Sequence, residues 1–305
     1  MTGAPRPVRA DLDAVAEQGR VSALAVRGVR DLQDVTAAHP ELFEAGPFDP
    51  ALLSSVATAI AFTAPWHTAA ELRITTRTLL WVFAADWQVD YLAKSADDVR
   101  AVVTDCLAVA DGGTPPPGRH LARLLADLRD ELAAVPAFAR LRPVWRDELA
   151  RMLAAVAREW DWKKLPTDPA TGQRLPDLDG YLDNADNLAC SFVNVTHWIA
   201  TGDDETLAQL TDLLAVGRGV QQVLRLVNDL ATHGRDTEWG DLNALLLVAD
   251  PAQVHTRLAE LTTRSRAELA TLGERCPRQA DYLHRQISFT GGFYQVSDFW
   301  GVRDE

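Results

Sequence analysis

The sequence predicts an all-α protein, and three observations carry that expectation. Apolar residues recur at three- and four-residue steps over 51–62, 68–92, 119–135, 144–160, 204–216, 220–230 and 252–272, the spacing that builds one apolar face on a helix. Sustained period-two alternation is missing, and no hairpin signal joins alternating apolar runs. Prolines fall where helices should stop, at Pro47, Pro65, Pro115 to Pro117, Pro136, Pro143, Pro166, Pro169 and Pro176, because proline removes a backbone donor and clashes with the preceding turn.

In chain order, Asp49-Pro50 and Asp250-Pro251 mark helix starts, each an N-cap acceptor followed by a first-turn proline. Residues 66–114 and 177–250 contain no proline, so long uninterrupted helices fit there. The loop Asp111 to Gly118 (DGGTPPPG) reads as a connection between two antiparallel helices, since helical periodicity is alike on both sides. Leu165 to Asp177 reads the same way. With no repeat and no low-complexity segment, the expectation is one α domain over 1–305 with about ten to twelve helices, residues 1–20 forming a disordered N-terminal arm.

Composition narrows the function. The 305 residues include 47% hydrophobic and 24% charged side chains, with a net charge of −13. That sign argues against a nucleic-acid binder, which needs a basic face to displace counterions, and against a polybasic membrane-surface protein. No apolar run approaches a membrane span. Cys106, Cys190 and Cys276 are scattered and odd in number, so a disulfide scaffold or cysteine zinc site is excluded and a cytoplasmic location is expected. Nine of the 22 aromatics are Trp, an investment that asks for a role in packing or ligand contact.

Two acidic constellations stand out in the proline-free windows. In Trp81–Tyr91, an apolar helix presents Asp86 and Asp90, which at a separation of four residues lie only about 40° apart on an α-helix. Such carboxylates need a cation: either Arg73, Arg77 or Lys94, near in sequence, or a hard divalent ion bound by carboxylates and substrate oxygens. The second string runs Asn228-Asp229-Leu230-Ala231-Thr232-His233-Gly234-Arg235-Asp236. Asn228, Thr232 and Asp236 form a stripe of amide, hydroxyl and carboxylate oxygens suited to Mg²⁺, with Arg235 beside it to hold phosphate. Gly234 weakens this helix, so its last turn is expected to fray.

The second string resembles the Asn–Ser/Thr–Asp/Glu metal motif of class I terpene synthases, and Glu238–Leu245 is similar to the stretch beyond it. Pro65–Asp86 resembles the approach to that family's aspartate-rich motif, and Trp160–Pro166 with Leu178–Trp198 resembles bacterial diterpene synthases. The likeness covers about residues 40–300. It implies a single-domain helical bundle of the class I terpene synthase type. It also implies ionisation of a prenyl diphosphate, geranylgeranyl diphosphate favoured, followed by cyclisation to a diterpene and diphosphate release. Under this resemblance Asp86, Asn228 and Arg235 are catalytic, and Asp86, Asp90, Asn228, Thr232 and Asp236 bind metal. The cofactor implied is Mg²⁺, three ions per active site. Arg225, Arg235 and Arg303 would bind diphosphate, and Phe83, Trp87, Phe192, Trp198, Phe289 and Tyr294 would line the substrate pocket, with Phe62, Trp66, Phe293 and Trp300 as further aromatic candidates. A homodimer is the expected assembly.

The chain departs from the pattern in three places. Trp87 stands in the second acidic slot, the C-terminal Arg-Tyr pair is absent with Arg303 as a substitute, and residues 175–217 hold no Arg or Lys where the family's diphosphate-sensing Arg belongs. The alternatives are a sesquiterpene cyclase using farnesyl diphosphate, an enzyme acting on a bicyclic copalyl-type diphosphate, and an inactive binding protein. A chain-elongating prenyl transferase would show two DDxxD motifs, a protonation-type cyclase a DxDD string, and a di-iron bundle Glu-x-x-His pairs; the chain has none of these.

Overall fold

In a computed structural model the described residues are 8–165 and 175–301. They form α1 (Val8–Ala38), α2 (Pro40–Phe43), α3 (Pro50–Thr63), α4 (Ala69–Trp87), α5 (Ala96–Ala110), α6 (His120–Ala133) and α7 (Phe138–Lys163). These are followed by α8 (Leu178–Leu182), α9 (Cys190–Thr201), α10 (Asp204–Ala208), α11 (Leu210–Trp239), α12 (Ala252–Gly273) and α13 (Pro277–Phe293). No strand occurs among the described residues, and none of their helices is long and apolar enough to cross a membrane. The all-α expectation holds.

Local chemistry sets the helix starts. Asp49 caps α3 by accepting the Leu52 N–H at 2.9 Å, with Pro50 in the first turn. Thr68 and Glu71 form a reciprocal capping box on α4, and Ser95 and Asp98 another on α5, each satisfying donors that the first turn leaves open. The DGGTPPPG loop joins α5 to α6, which pack together. Its Gly112 and Gly118 take φ of 100° and 76°, a region where a side chain would be strained.

Several expectations are corrected. Residues 8–20 belong to α1 and not to an arm. Pro143 lies inside α7. It sits early in that helix and leaves only the Ala139 carbonyl without its usual donor. The segments 204–216 and 220–230 are not two matching helices: a short α10 gives way to α11, which runs on through Gly234 to Trp239 and ends at Gly240 with φ 77°. Most of Leu165–Asp177 lies outside the described residues.

The core gathers around α4. Trp81 is fully buried and donates its indole N–H to the Leu121 carbonyl at 2.9 Å. Trp145 on α7 donates to Thr196 Oγ1 on α9 at 2.9 Å. Pairing these N–H groups lets each indole contribute its full apolar area without an unsatisfied donor. Helices α3, α4, α7, α9, α11 and α13 surround a cavity at one end of this core.

Candidate active site

The cavity measures about 1450 Å³, its open mouth included. One wall begins on α4 with Phe83 and Asp86. At Trp87 the helix widens into a π turn, Gln88–Leu92, closed by the Ala93 N–H on the Gln88 carbonyl at 3.0 Å. Sequence spacing assumed an α-helix throughout. Asp90 lines the cavity with Asp86, as their spacing predicted, the wider turn brings Tyr91 round to join them, and Trp87 stays off it. Turns of this type concentrate at functional sites.

The cation among these carboxylates is none of the expected neighbours. Arg73 pairs with Glu131, and Arg77 with Asp31 and Glu131. Instead Lys163, at the end of α7, places its Nζ 2.7 Å from Asp90 Oδ1 and 2.9 Å from Asp241 Oδ1. Tyr91 donates to the other oxygen of Asp241 at 2.7 Å. Burial works to lower the Lys163 pKa, but Asp90, Asp241 and Glu159 outweigh it and hold the ammonium above its ordinary range. Asp86 is pushed well above the usual carboxylate range by burial and by Asp90 and Asp241, with Lys163 opposing.

The facing wall is α11. Its stripe presents Arg225, Asn228, Asp229, Arg235 and Asp236 to the cavity, as the helical spacing of the motif predicted for Asn228, Arg235 and Asp236. Asn228 donates its amide to Tyr294 Oη at 2.6 Å. Thr232 is buried and does not line the cavity; its hydroxyl lies 2.7 Å from Asp236 Oδ2 and 2.9 Å from the Asn228 carbonyl. Asn243 supports the same carboxylate, donating to Asp236 Oδ2 at 2.9 Å. Arg235 spans Asp236 and Asp298, each at 2.8 Å.

Arg225 lines the cavity but is committed to a buried cluster with Glu159 at 3.1 Å, Tyr181 Oη at 2.7 Å and Asp229 at 3.3 Å. Burial pushes Asp229 up to about 6 although Arg225 pulls the other way. Arg303 lies outside the described residues. Where a sensing Arg was sought, a 3₁₀ turn, Ala185–Leu188, leads through Ala189 with φ 61° into α9. This break presents Asn187, Leu188 and Cys190 to the cavity, and Asn187 donates to Glu159.

The rest of the lining is mostly apolar, from Ile60, Leu79, Val82, Val193, Leu224 and Phe289, with Thr63, Gln286 and Thr290 adding polar groups. Phe299 and Trp300 close it near Phe83, with ring centroids 5.5 and 5.1 Å away. Of the expected pocket aromatics, Phe83, Phe289, Tyr294 and Trp300 line it, and Phe62, Trp66 and Phe293 do not. Phe192 and Trp198 do not: they are core residues, Phe192 packed between Trp81 and Trp145 and Trp198 against Tyr282. Trp87 stands behind the wall, its ring tilted against Tyr91 at 4.6 Å and against Trp300 at 5.9 Å. Sequence reasoning missed Glu159, Lys163, Tyr91, Asp241, Asp298 and Phe299. Lys163 had a signal, being one of three Lys against 27 Arg.

The oxygen donors fit a hard divalent cation. Asp86, Asp90 and Asp236 offer carboxylates and Asn228 an amide, the ligand chemistry of Mg²⁺. Asp86 is buried beside Asp90 and Asp241, and a divalent cation there would offset their mutual repulsion. No three acidic, His or Cys groups among the described residues are arranged to hold a metal alone, consistent with a site divided between two walls and completed by neutral oxygens.

An all-α bundle with two oxygen-bearing helices facing each other across an apolar cavity has the architecture of a class I terpene synthase. The profile of terpene synthase family 2, C-terminal metal binding, matches residues 77–255, and the chain belongs to this family. It is therefore an enzyme, a class I terpene synthase. The chain is 26% identical over 283 residues to ent-pimara-9(11),15-diene synthase of Streptomyces sp. (strain KO-3988), covering 91% of this chain and 93% of that one. Linalool/nerolidol synthase from Streptomyces clavuligerus, solved with 2-fluorogeranyl diphosphate, shares the fold with a TM-score of 0.68 at 20% identity, over 90% of this chain and 94% of that chain. So does 2-methylisoborneol synthase from Streptomyces coelicolor A3(2), solved with Mg²⁺ and 2-fluoroneryl diphosphate, with a TM-score of 0.64 at 16% identity over 92% and 91%. Germacradien-4-ol synthase from Streptomyces citricolor gives 0.69 at 15% identity over 89% and 95%.

Proposed function

We propose that this enzyme ionises geranylgeranyl diphosphate with Mg²⁺ and cyclises the resulting cation to a diterpene, releasing diphosphate. One observation carries the reading: a single cavity divides its lining between oxygen donors, on the Asp86–Tyr91 segment and on α11, and side chains that are mostly apolar or aromatic. A molecule with a charged head and a long hydrocarbon tail matches that division. Likeness over nearly the whole chain to an ent-pimaradiene synthase, a diterpene synthase, supports the C20 substrate.

In this proposal Asp86 and Asp90 hold metal on one side, and Asn228 and Asp236 on the other, with Thr232 fixing the Asp236 carboxylate. Bound Mg²⁺ would supply Lewis-acid stabilisation of the departing diphosphate. Arg235 would contact the diphosphate by exchanging its Asp298 partner for phosphate oxygens. Phe83, Phe289, Phe299 and Trp300 exclude water and offer π faces to the cation. Arg225, already paired three ways, acts as structural support for Glu159 and Asp229 more than as a free phosphate ligand.

Incubation with Mg²⁺ and farnesyl, geranylgeranyl or copalyl diphosphate, followed by mass spectrometry of the extract, tests this. A cyclic C20 hydrocarbon from geranylgeranyl diphosphate is expected. Turnover confined to the farnesyl arm would make it a sesquiterpene cyclase. Turnover confined to the copalyl arm would move the cyclisation of the first rings to another enzyme, and no diphosphate release in any arm would leave a binding protein.

A further inference from the structure

Lys163 bridges Asp90 and Asp241 from behind, with a side chain only 10% exposed, and it does not line the cavity. Four carboxylates gather around this one ammonium: Asp90 and Asp241 in contact, with Asp86 and Glu159 near enough to act on it or be acted on electrostatically. Glu159 already has Arg225. The arrangement is a pair of metal-facing acids whose nearest positive charge is part of the protein.

A fixed ammonium at this distance has a calculable consequence. It neutralises part of the field that would attract a divalent ion to Asp86 and Asp90, and it engages one Asp90 oxygen directly. Diphosphate arriving at the same end of the cavity brings several negative charges and restores that field. Metal and diphosphate must then favour each other's binding reciprocally, because coupling between two ligands is one free energy seen from either side.

We infer that Lys163 is a resident counter-cation that makes metal loading on the aspartate-bearing wall depend on diphosphate. It acts through Asp90 and Asp241 as a positioning residue and touches no substrate. The inference rests on the proposed reading of this site as a metal-dependent diphosphate site. It also gives Asp241, just past the end of α11, a role: it anchors the ammonium so that both walls share one charge.

The test is a Mn²⁺ titration followed by electron paramagnetic resonance, with and without inorganic diphosphate, on the wild type, Lys163→Met and Lys163→Arg. Wild type should bind Mn²⁺ weakly alone and far more tightly with diphosphate. Lys163→Met should bind Mn²⁺ alone about tenfold more tightly, since removing a unit charge a few ångströms from the metal in a partly buried site is worth at least that factor. Its affinity ratio with and without diphosphate should shrink accordingly, and Lys163→Arg should restore the wild-type ratio. Circular dichroism checks folding. Thermal unfolding gives a second readout, in which Mg²⁺ alone should raise the midpoint of Lys163→Met, or of the milder Lys163→Gln, more than that of wild type. An unchanged ratio in Lys163→Met, with wild type binding both ligands, overturns the inference and leaves the proposed function intact. Absence of Mn²⁺ binding in every form, diphosphate present, removes that function as well.

Discussion

Arg235 Nη1 lies 2.8 Å from Asp298 Oδ2, an ion pair that ties α11 to the turn carrying Phe299 and Trp300. The same guanidinium holds Asp236 at 2.8 Å and lies over the Trp239 ring at 5.4 Å. The residue proposed to meet the diphosphate therefore also fastens the aromatic closure of the cavity.

Asp298→Asn weakens that fastening and leaves Arg235 its partner in Asp236. A loss of about 2 kcal/mol is expected from replacing a charged hydrogen bond, read as a shift in urea midpoint. Water should enter more readily beneath Phe299 and Trp300, so the ratio of alcohol to hydrocarbon products should rise in the extract.

Asp86→Ala and Asn228→Ala should each lower turnover by more than about 100-fold, the scale of removing one electrostatic contact to a developing charge. Neither should unfold the domain. Asp86 is a desolvated carboxylate crowded by Asp90 and Asp241, so its removal relieves repulsion. Asn228→Ala loses the hydrogen bond to Tyr294, about 1 kcal/mol. Full activity in both variants, with circular dichroism unchanged, would end the metal assignment.

Trp87→Ala should cost stability and alter products, although the indole is not on the cavity surface. It packs against Tyr91, Phe48 and Trp300, so truncation should cost about 3 kcal/mol and let the cavity wall shift. Its indole N–H is buried without an acceptor, so Trp87→Phe should retain most of the stability. Melting temperatures and the product profile of both variants decide this.

His197 gives a pH dependence. It is buried, lies 3.1 Å from Thr75 Oγ1 and stacks on Tyr282 at 4.6 Å, and burial pushes its pKa down from 6.5 to about 3, with nearby His67 adding to the shift. In the unfolded chain it takes up a proton near its ordinary value, so between those limits the unfolded state binds more protons. Stability from this residue is complete above 6.5 and falls with acidification, by up to about 1.4 kcal/mol per pH unit. Replacing it with Gln should flatten that part of the profile between pH 7 and 5 in chemical denaturation; an equal slope in both proteins would exclude His197 as the source.

The sequence made one wall legible and the other only in part. On α11 a regular helix converts spacing into direction, so Asn228, Arg235 and Asp236 fell together as expected. On α4 the helix changes type at Gln88, and no periodicity argument anticipates that. Residues joined over long separations, such as Lys163 to Asp90, need the bundle's packing before they mean anything. The same holds for Phe192 and Trp198: their aromatic character is plain in the sequence, but which neighbour each faces depends on how α9 is rotated against Trp81, Trp145 and Tyr282.

The π turn also places a constraint on length that differs from any constraint on residue type. Closing a turn over five intervals where an α-helix uses four means that one residue between Gln88 and Leu92 is surplus to a regular helix. Deleting Val89 would let α4 continue as an ordinary helix with Asp90 only three positions after Asp86, turning Asp90 and Tyr91 away from Lys163 and Asp241 while every upstream contact, Asp86 included, stayed in register. Outside Asp90 and Tyr91, this segment should accept exchanges of side chain more readily than the loss of a single position.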